Sequence, residues 1–263
     1  MSFVGRYRRF PGIDGRALDG SRSRLSPGEL GCFMSHYECI CQADAPDHHL
    51  HILEDDVVFA PQTTQLLDRV IEDAAPLCDM LFNDIFVPLD MVVIYELMSH
   101  YRSAGMIPLR EAPPESRVPA FIMYPPLRTV MFGGATSYVI KQGSREKVLA
   151  YLEAEIARGP NQPIDMMYRI LANEGMIDAC CTIPFLTSIE ADSICDSTII
   201  GRDQHADSAM AFYALRSFFY LARDDAHLNG FMDEINAKLP DPDYLGPMEA
   251  FFRFVFSERF KSF

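Results

Sequence analysis

The chain has 263 residues, 49% of them hydrophobic and 23% charged, enough apolar matter for a large core and too much for a disordered tail. Acids outnumber bases 37 to 23, a net charge of -14, so the surface repels phosphate backbones and no nucleic acid is expected as a partner. No run approaches the roughly 18 to 20 continuous apolar residues of a membrane span. The start, Met1-Ser2-Phe3-Val4-Gly5-Arg6, carries no apolar signal core. The seven Cys form no C-x-x-C pair, so most are read as small buried hydrophobes in a reducing compartment, with the cytosol expected.

Six Arg lie before residue 25, around the turn-like Phe10-Pro11-Gly12-Ile13-Asp14-Gly15. Arg6, Arg8 and Arg9 suit a solvated basic face, a diphosphate or an anionic acceptor. The first helix opens at Ser26-Pro27-Gly28-Glu29. Ser26 is its N-cap, Pro27 fills the first turn and Glu29 completes a capping box. Leu30, Phe33, Met34, Tyr37 and Cys41 recur at the spacing of one buried face. Asp44-Ala45-Pro46-Asp47 closes this helix.

A core strand is expected over residues 49–53, broken by Glu54-Asp55-Asp56 and followed by Val57-Val58-Phe59. A helix is expected over 61–75 and a strand over 79–84, ending in polar Asn83 and Asp84. Six Pro between 100 and 127 mark a loop-rich flap. Gly133-Gly134 introduce a strand, Ser137-Tyr138-Val139-Ile140; they make a turn or let backbone approach a ligand. Residues 144–157 are helical. Pro163-Ile164-Asp165 opens a helix through Leu171, with Asp165 suited to a helix N-terminus. Residues 177–185 read as a strand. Strand, helix and strand in close succession predict an α/β layer fold. Two regions are expected: an α/β domain over 1–203 and a helical C-terminal extension over 204–263. The last 16 residues are aromatic and locally basic. As a helix they suit the domain surface, a second subunit or, peripherally, the inner face of an anionic membrane.

The acidic triplet is the most informative local feature. Partly desolvated neighbouring carboxylates raise their own pKa values or acquire a cation. In an extended segment Glu54 and Asp56 share one face and Asp55 takes the other. Two hard oxygen donors suit Mg²⁺ or Mn²⁺. Ligands of open α/β sheets bind beyond the carboxyl ends of strands, where this triplet falls. A solvated turn is the plainer alternative. A different chemistry is offered by His49 and His51, one strand face apart by two, as ligands of a Zn²⁺-dependent hydrolase.

The stretch Leu25-Ser26-Pro27-Gly28-Glu29-Leu30-Gly31-Cys32-Phe33-Met34-Ser35-His36, followed by Ile52-Leu53-Glu54-Asp55-Asp56-Val57, resembles glycosyltransferase family 25. That family includes lipooligosaccharide and collagen galactosyltransferases. Phe10-Pro11-Gly12-Ile13-Asp14-Gly15, Ser137-Tyr138-Val139-Ile140, Pro163-Ile164-Asp165 and Asp196-Ser197-Thr198-Ile199 fall in the family's order, so the resemblance covers about residues 8–200. It implies a GT-A-like nucleotide-sugar sheet and metal-dependent, inverting transfer of a hexose, commonly galactose from UDP-galactose, to a glycan or lipid-linked oligosaccharide. On this chain Asp56 and Glu54 become the ligands of Mn²⁺ or Mg²⁺. Asp165, then Asp84, become the candidate base. His36, Asp55, Gly133, Gly134 and Ser197 become substrate contacts. With no Trp, any sugar-stacking ring is Tyr or Phe. Family members carry a further strand and helix ahead of the piece matching Phe10 to Gly15. A donor pocket lacking that strand is the basis of the alternative, a non-catalytic binding or scaffold relative.

Overall fold

A computed structural model describes residues 7–43, 47–87, 91–104, 119, 121–190, 206–223 and 230. Helix α1 spans Pro27–Cys41. Its capping box is formed as the sequence predicts: the Ser26 hydroxyl accepts from the Glu29 N–H and the Glu29 carboxylate accepts from the Ser26 N–H. The buried stripe runs Leu30, Gly31, Phe33, His36, Ile40; of the predicted face Leu30 and Phe33 lie in it, and Met34, Tyr37 and Cys41 are half-buried beside it. A histidine thus occupies the core-facing row. Against this row packs a short 3₁₀ turn, Gly15–Ala17. The approach is close enough that a Cβ on Gly15 would lie 1.8 Å from the Pro27 carbonyl oxygen and one on Gly31 2.5 Å from that of Ile13. Only glycine permits such backbone contact.

Strand β1 (Leu50–Leu53) is followed by β2 (Val57–Phe59), helix α2 (Thr63–Ala74), β3 (Met80–Phe82), helix α3 (Met91–Ser103) and β4 (Ser137–Ile140). Helix α4 (Arg145–Arg158), α5 (Ile164–Asn173), β5 (Ala179–Cys181), β6 (Thr187–Ile189) and α6 (Ala206–Phe219) complete the described elements. The main sheet has the order β1-β4-β3-β5. β4 runs antiparallel to both its neighbours and β5 runs parallel to β3. The molecule is therefore a mixed four-stranded sheet flanked by helices, the α/β class expected. Leu53 pairs with Ser137, and Phe82 pairs with both Tyr138 and Cys181. This register gathers the carboxyl ends of β1, β3 and β5 and the start of β4 at one edge.

Three local differences from the sequence reading have physical causes. The acids form a turn rather than extended backbone, and the chain beyond them leaves the main sheet to pair β2 with β6 antiparallel. The strand read over 177–185 stops at Cys181, because Thr182 turns its hydroxyl to the Asn83 carbonyl and Ile183 bonds to Met123. Helix α3 fills a stretch to which the sequence assigns no element, and its last turn enters the segment expected to be loop-rich from residue 100. Most of the expected flap, residues 105–118 and 120, lies outside the described residues. The core is continuous from α1 across the sheet, with Phe82, Phe132, Tyr138 and Tyr168 stacked edge to face around its centre. Helix α6, read as part of the extension, joins it through Phe219, which lies 5.7 Å from Phe185 between ring centroids.

Candidate functional site

The acidic turn sits at the gathered sheet edge. The Glu54 N–H donates to the Thr136 carbonyl at 2.8 Å, which fixes the end of β1 beside the start of β4. The Asp56 carbonyl accepts from the Glu190 N–H at 2.9 Å, which fixes the other side of the turn to the β6 end. Asp55 is exposed, and Glu54 and Asp56 are half-buried. Asp56 Oδ1 is buried and accepts no hydrogen bond. Burial, then the charge of Glu54, pushes the Asp56 carboxyl above its ordinary value, while Arg216 opposes them. A buried carboxylate oxygen without a donor, next to a second carboxylate, matches the donor set of a hard divalent cation. Glu54 and Asp56 are the two carboxylates that this turn could offer such a cation, in a turn rather than the extended geometry expected.

His36 enters this edge from α1. Its Nδ1 lies 2.9 Å from the Tyr138 hydroxyl and its Nε2 3.2 Å from Glu54 Oε1. Tyr138 in turn meets the Tyr168 hydroxyl at 3.0 Å. Burial by itself lowers an imidazole pKa, but hydrogen bonds and charges from Cys32 and Glu54 outweigh it and push His36 up to about 10. For Glu54, burial works upward and is outweighed by the hydrogen bond and charge of His36 and by Arg216, so its carboxyl is lowered. His36 is thus a buried partner of the acidic turn. Cys32, one turn earlier on α1, completes a group with His36 and Glu54 whose ligand atoms all lie within 4.8 Å of one another. The sequence reading placed Cys32 among the small hydrophobes. Its i, i+4 relation to His36 was the signal that could have found it.

Asp84, at the end of β3, is 1% exposed. Oδ1 accepts from the Thr136 hydroxyl at 2.8 Å and lies 2.5 Å from Arg216 Nη2. Oδ2 accepts from the Thr187 hydroxyl at 2.6 Å. Arg216 also donates to the Thr136 hydroxyl. The pattern of the sequence gives no sign of Arg216, because it comes from α6, 132 positions beyond Asp84.

Asp165, in the first turn of α5, accepts from the Gly134 N–H at 2.9 Å through Oδ2 and from the Met166 N–H at 2.8 Å through Oδ1. Gly134 has φ +82°, and a Cβ on Gly133 would lie 3.1 Å from Asp165 Oδ2. The two glycines therefore let the loop backbone reach this carboxylate, two residues before Thr136. The expected substrate contact Ser197 lies outside the described residues. His51 is tied to the Tyr7 hydroxyl at 2.8 Å and to Asn83 Nδ2 at 2.9 Å, and burial lowers its pKa to about 3. His49 instead accepts from the Gln142 N–H. The two imidazoles belong to separate networks, and among the described residues neither joins a cluster of three candidate metal ligands.

A family model described as glycosyltransferase family 25 (LPS biosynthesis protein) matches residues 15–168, more than half of the chain. The match includes α1, the acidic turn, the glycine pair and Asp165. No curated protein and no solved structure matches. Among the described residues no helix is long and apolar enough to cross a membrane. The chain belongs to glycosyltransferase family 25.

Proposed function

We propose that this family 25 glycosyltransferase moves a hexose, galactose in the first instance, from a UDP-sugar to a glycan acceptor of the lipooligosaccharide kind, with inversion and with Mn²⁺ or Mg²⁺, on a GT-A-like sheet over residues 1–203. The observation that carries the reading is the buried, unpartnered Oδ1 of Asp56 beside Glu54, at the carboxyl edge of β1, β3 and β5. Glu54 and Asp56 would hold the cation, which when bound supplies Lewis-acid neutralisation of a diphosphate. A protein of net charge -14 needs such local positive charge before it can accept a nucleotide.

The protein's own groups account for the rest. Asp55, exposed on the turn, would contact the substrate. Gly133 and Gly134 let backbone approach the sugar. Asp165 takes the proton of the acceptor hydroxyl as that oxygen bonds to the anomeric carbon, and the bond to the UDP oxygen breaks with its electron pair leaving on the diphosphate. We place the base at Asp165 rather than Asp84, because Asp84 already accepts from Thr136, Thr187 and Arg216. The backbone N–H donors at Asp165 orient its carboxylate. The cytosolic face of a membrane, where lipid-linked acceptors are built, suits such an enzyme.

Calorimetry with UDP and Mn²⁺ tests this. Wild-type protein is expected to bind UDP only with the cation, and Asp56→Asn to weaken that binding at least tenfold. Wild-type protein that binds no UDP with Mn²⁺ or Mg²⁺ would overturn the enzyme reading in favour of a non-catalytic relative.

A further inference from the structure

Cys32, His36 and Glu54 bring a sulfur, an imidazole nitrogen and a carboxylate oxygen within 4.8 Å of one another. This is a different donor set from the all-oxygen pair of Glu54 and Asp56. Thiolate with imidazole selects borderline and soft cations, zinc above all, over Mg²⁺ and Mn²⁺. Two of the donors stand on consecutive turns of α1 and the third ends β1, so an ion here would cross-link a helix to the sheet edge. Bonds of about 2.3 Å to sulfur and 2.0–2.2 Å to nitrogen and oxygen put tetrahedral ligands roughly 3.3–3.8 Å apart. His36 Nε2 and Glu54 Oε1, at 3.2 Å, already stand near that spacing. The Cys32 thiol lies within 4.8 Å of both.

An ion here would take the place of the proton that His36 Nε2 shares with Glu54 in the metal-free chain. His36 Nδ1 is engaged by the Tyr138 hydroxyl, which is engaged by Tyr168, and this orients Nε2 toward Glu54. Metal-bound imidazoles are commonly fixed through their second nitrogen in this way. The ring is buried while Cys32 and Glu54 are half-exposed, so an ion has a route in and a solvent molecule can complete the fourth position.

We propose that Cys32, His36 and Glu54 form a binding site for a thiophilic divalent cation of the zinc type, clamping α1 to the acidic turn. The inference does not depend on sugar transfer, and its test uses neither nucleotide nor acceptor. The whole chain is titrated with Zn²⁺ alone, and separately with Co²⁺ as a spectroscopic stand-in. Wild type is expected to bind one Zn²⁺, to rise in Tm on binding, and to show thiolate-to-cobalt charge-transfer absorption. Cys32→Ser is expected to fold, to bind Zn²⁺ at least tenfold more weakly and to lose that absorption. Asp56→Asn is expected to keep both. Equal zinc affinity in wild type and Cys32→Ser, or a cobalt spectrum without a thiolate band, overturns the proposal. Zinc binding abolished by Asp56→Asn but not by Cys32→Ser places the ion in the acidic pair and overturns it equally.

Discussion

His36 holds its proton to about pH 10 in the folded chain, against an ordinary 6.5, because Cys32 and Glu54 more than offset its burial. A raised imidazole pKa stabilises the folded state fully below the unfolded value and loses that contribution as pH climbs through the folded one. Tm of the wild type is therefore expected to fall between about pH 6.5 and pH 10 more steeply than Tm of His36→Gln, measured by calorimetry at matched ionic strength. Glu54 has the opposite sign. Its carboxyl is lowered, so its contribution is present above the unfolded pKa and disappears as pH falls through the folded one. Asp56 is raised by burial and by Glu54, so it protonates earlier on acidification than an ordinary aspartate. Affinity for Mn²⁺-UDP is expected to weaken on the acid side sooner than two independent carboxylates would give. At Asp165 the prediction is kinetic. Asp165→Asn keeps an acceptor oxygen for one backbone N–H, and is expected to lower kcat at least a hundredfold with KM for the donor little changed, the range that a positioned base contributes.

Helix α1 carries His36 and Cys32 into the site, so what sets its position sets theirs. Its N-terminus is fixed locally by Ser26 and Glu29, and Ser26→Ala is expected to cost about 1 kcal/mol. Its distance from the preceding chain is fixed by the absence of side chains at Gly15 and Gly31. The neighbours that a methyl at Gly31 would strike are the Ile13 carbonyl oxygen at 2.5 Å and the Gly15 nitrogen at 2.8 Å, backbone atoms that cannot swing aside. Gly31→Ala is expected to destabilise by about 1–3 kcal/mol although alanine is the better helix former, and chemical denaturation would show it as a lower midpoint. A midpoint at or above the wild type would mean that the 3₁₀ turn does not press on α1 in solution.

At the scale of the molecule, the buried ion pair of Asp84 and Arg216 ties α6 to the sheet edge. Asp84 and Arg216 are 1% and 3% exposed, so removing one partner strands the other charge in a medium that cannot solvate it. Arg216→Met is expected to cost about 3–5 kcal/mol, and Arg216→Met with Asp84→Asn to recover most of the loss, as read by denaturant midpoints. If the two single costs simply add in the double variant, the pair is not coupled in solution. Helix α6 thereby contributes to the electrostatics of Glu54 and Asp56, both of which feel Arg216. We propose on this basis that helix α6 is a structural partner of the catalytic edge.

What the sequence determined by itself is what short-range physics sets. Ser26 and Glu29 cap α1, alternation and apolar runs mark β1, β3 and β4, and the Ser26-to-His36 stretch with its acidic triplet carries the family. What only the tertiary structure decided is which groups share space. A histidine sits in the buried row of α1 because Glu54 and Tyr138 receive both its nitrogens. Asp84, a reasonable base on paper, is surrounded by donors from the residue before β4, from β6 and from α6. The triplet turns rather than extends because β2 finds its partner in β6, more than a hundred residues away. Local propensity acts over a few residues and can be read in one dimension, whereas burial and ion pairing depend on the folding back of distant segments, which no local pattern records.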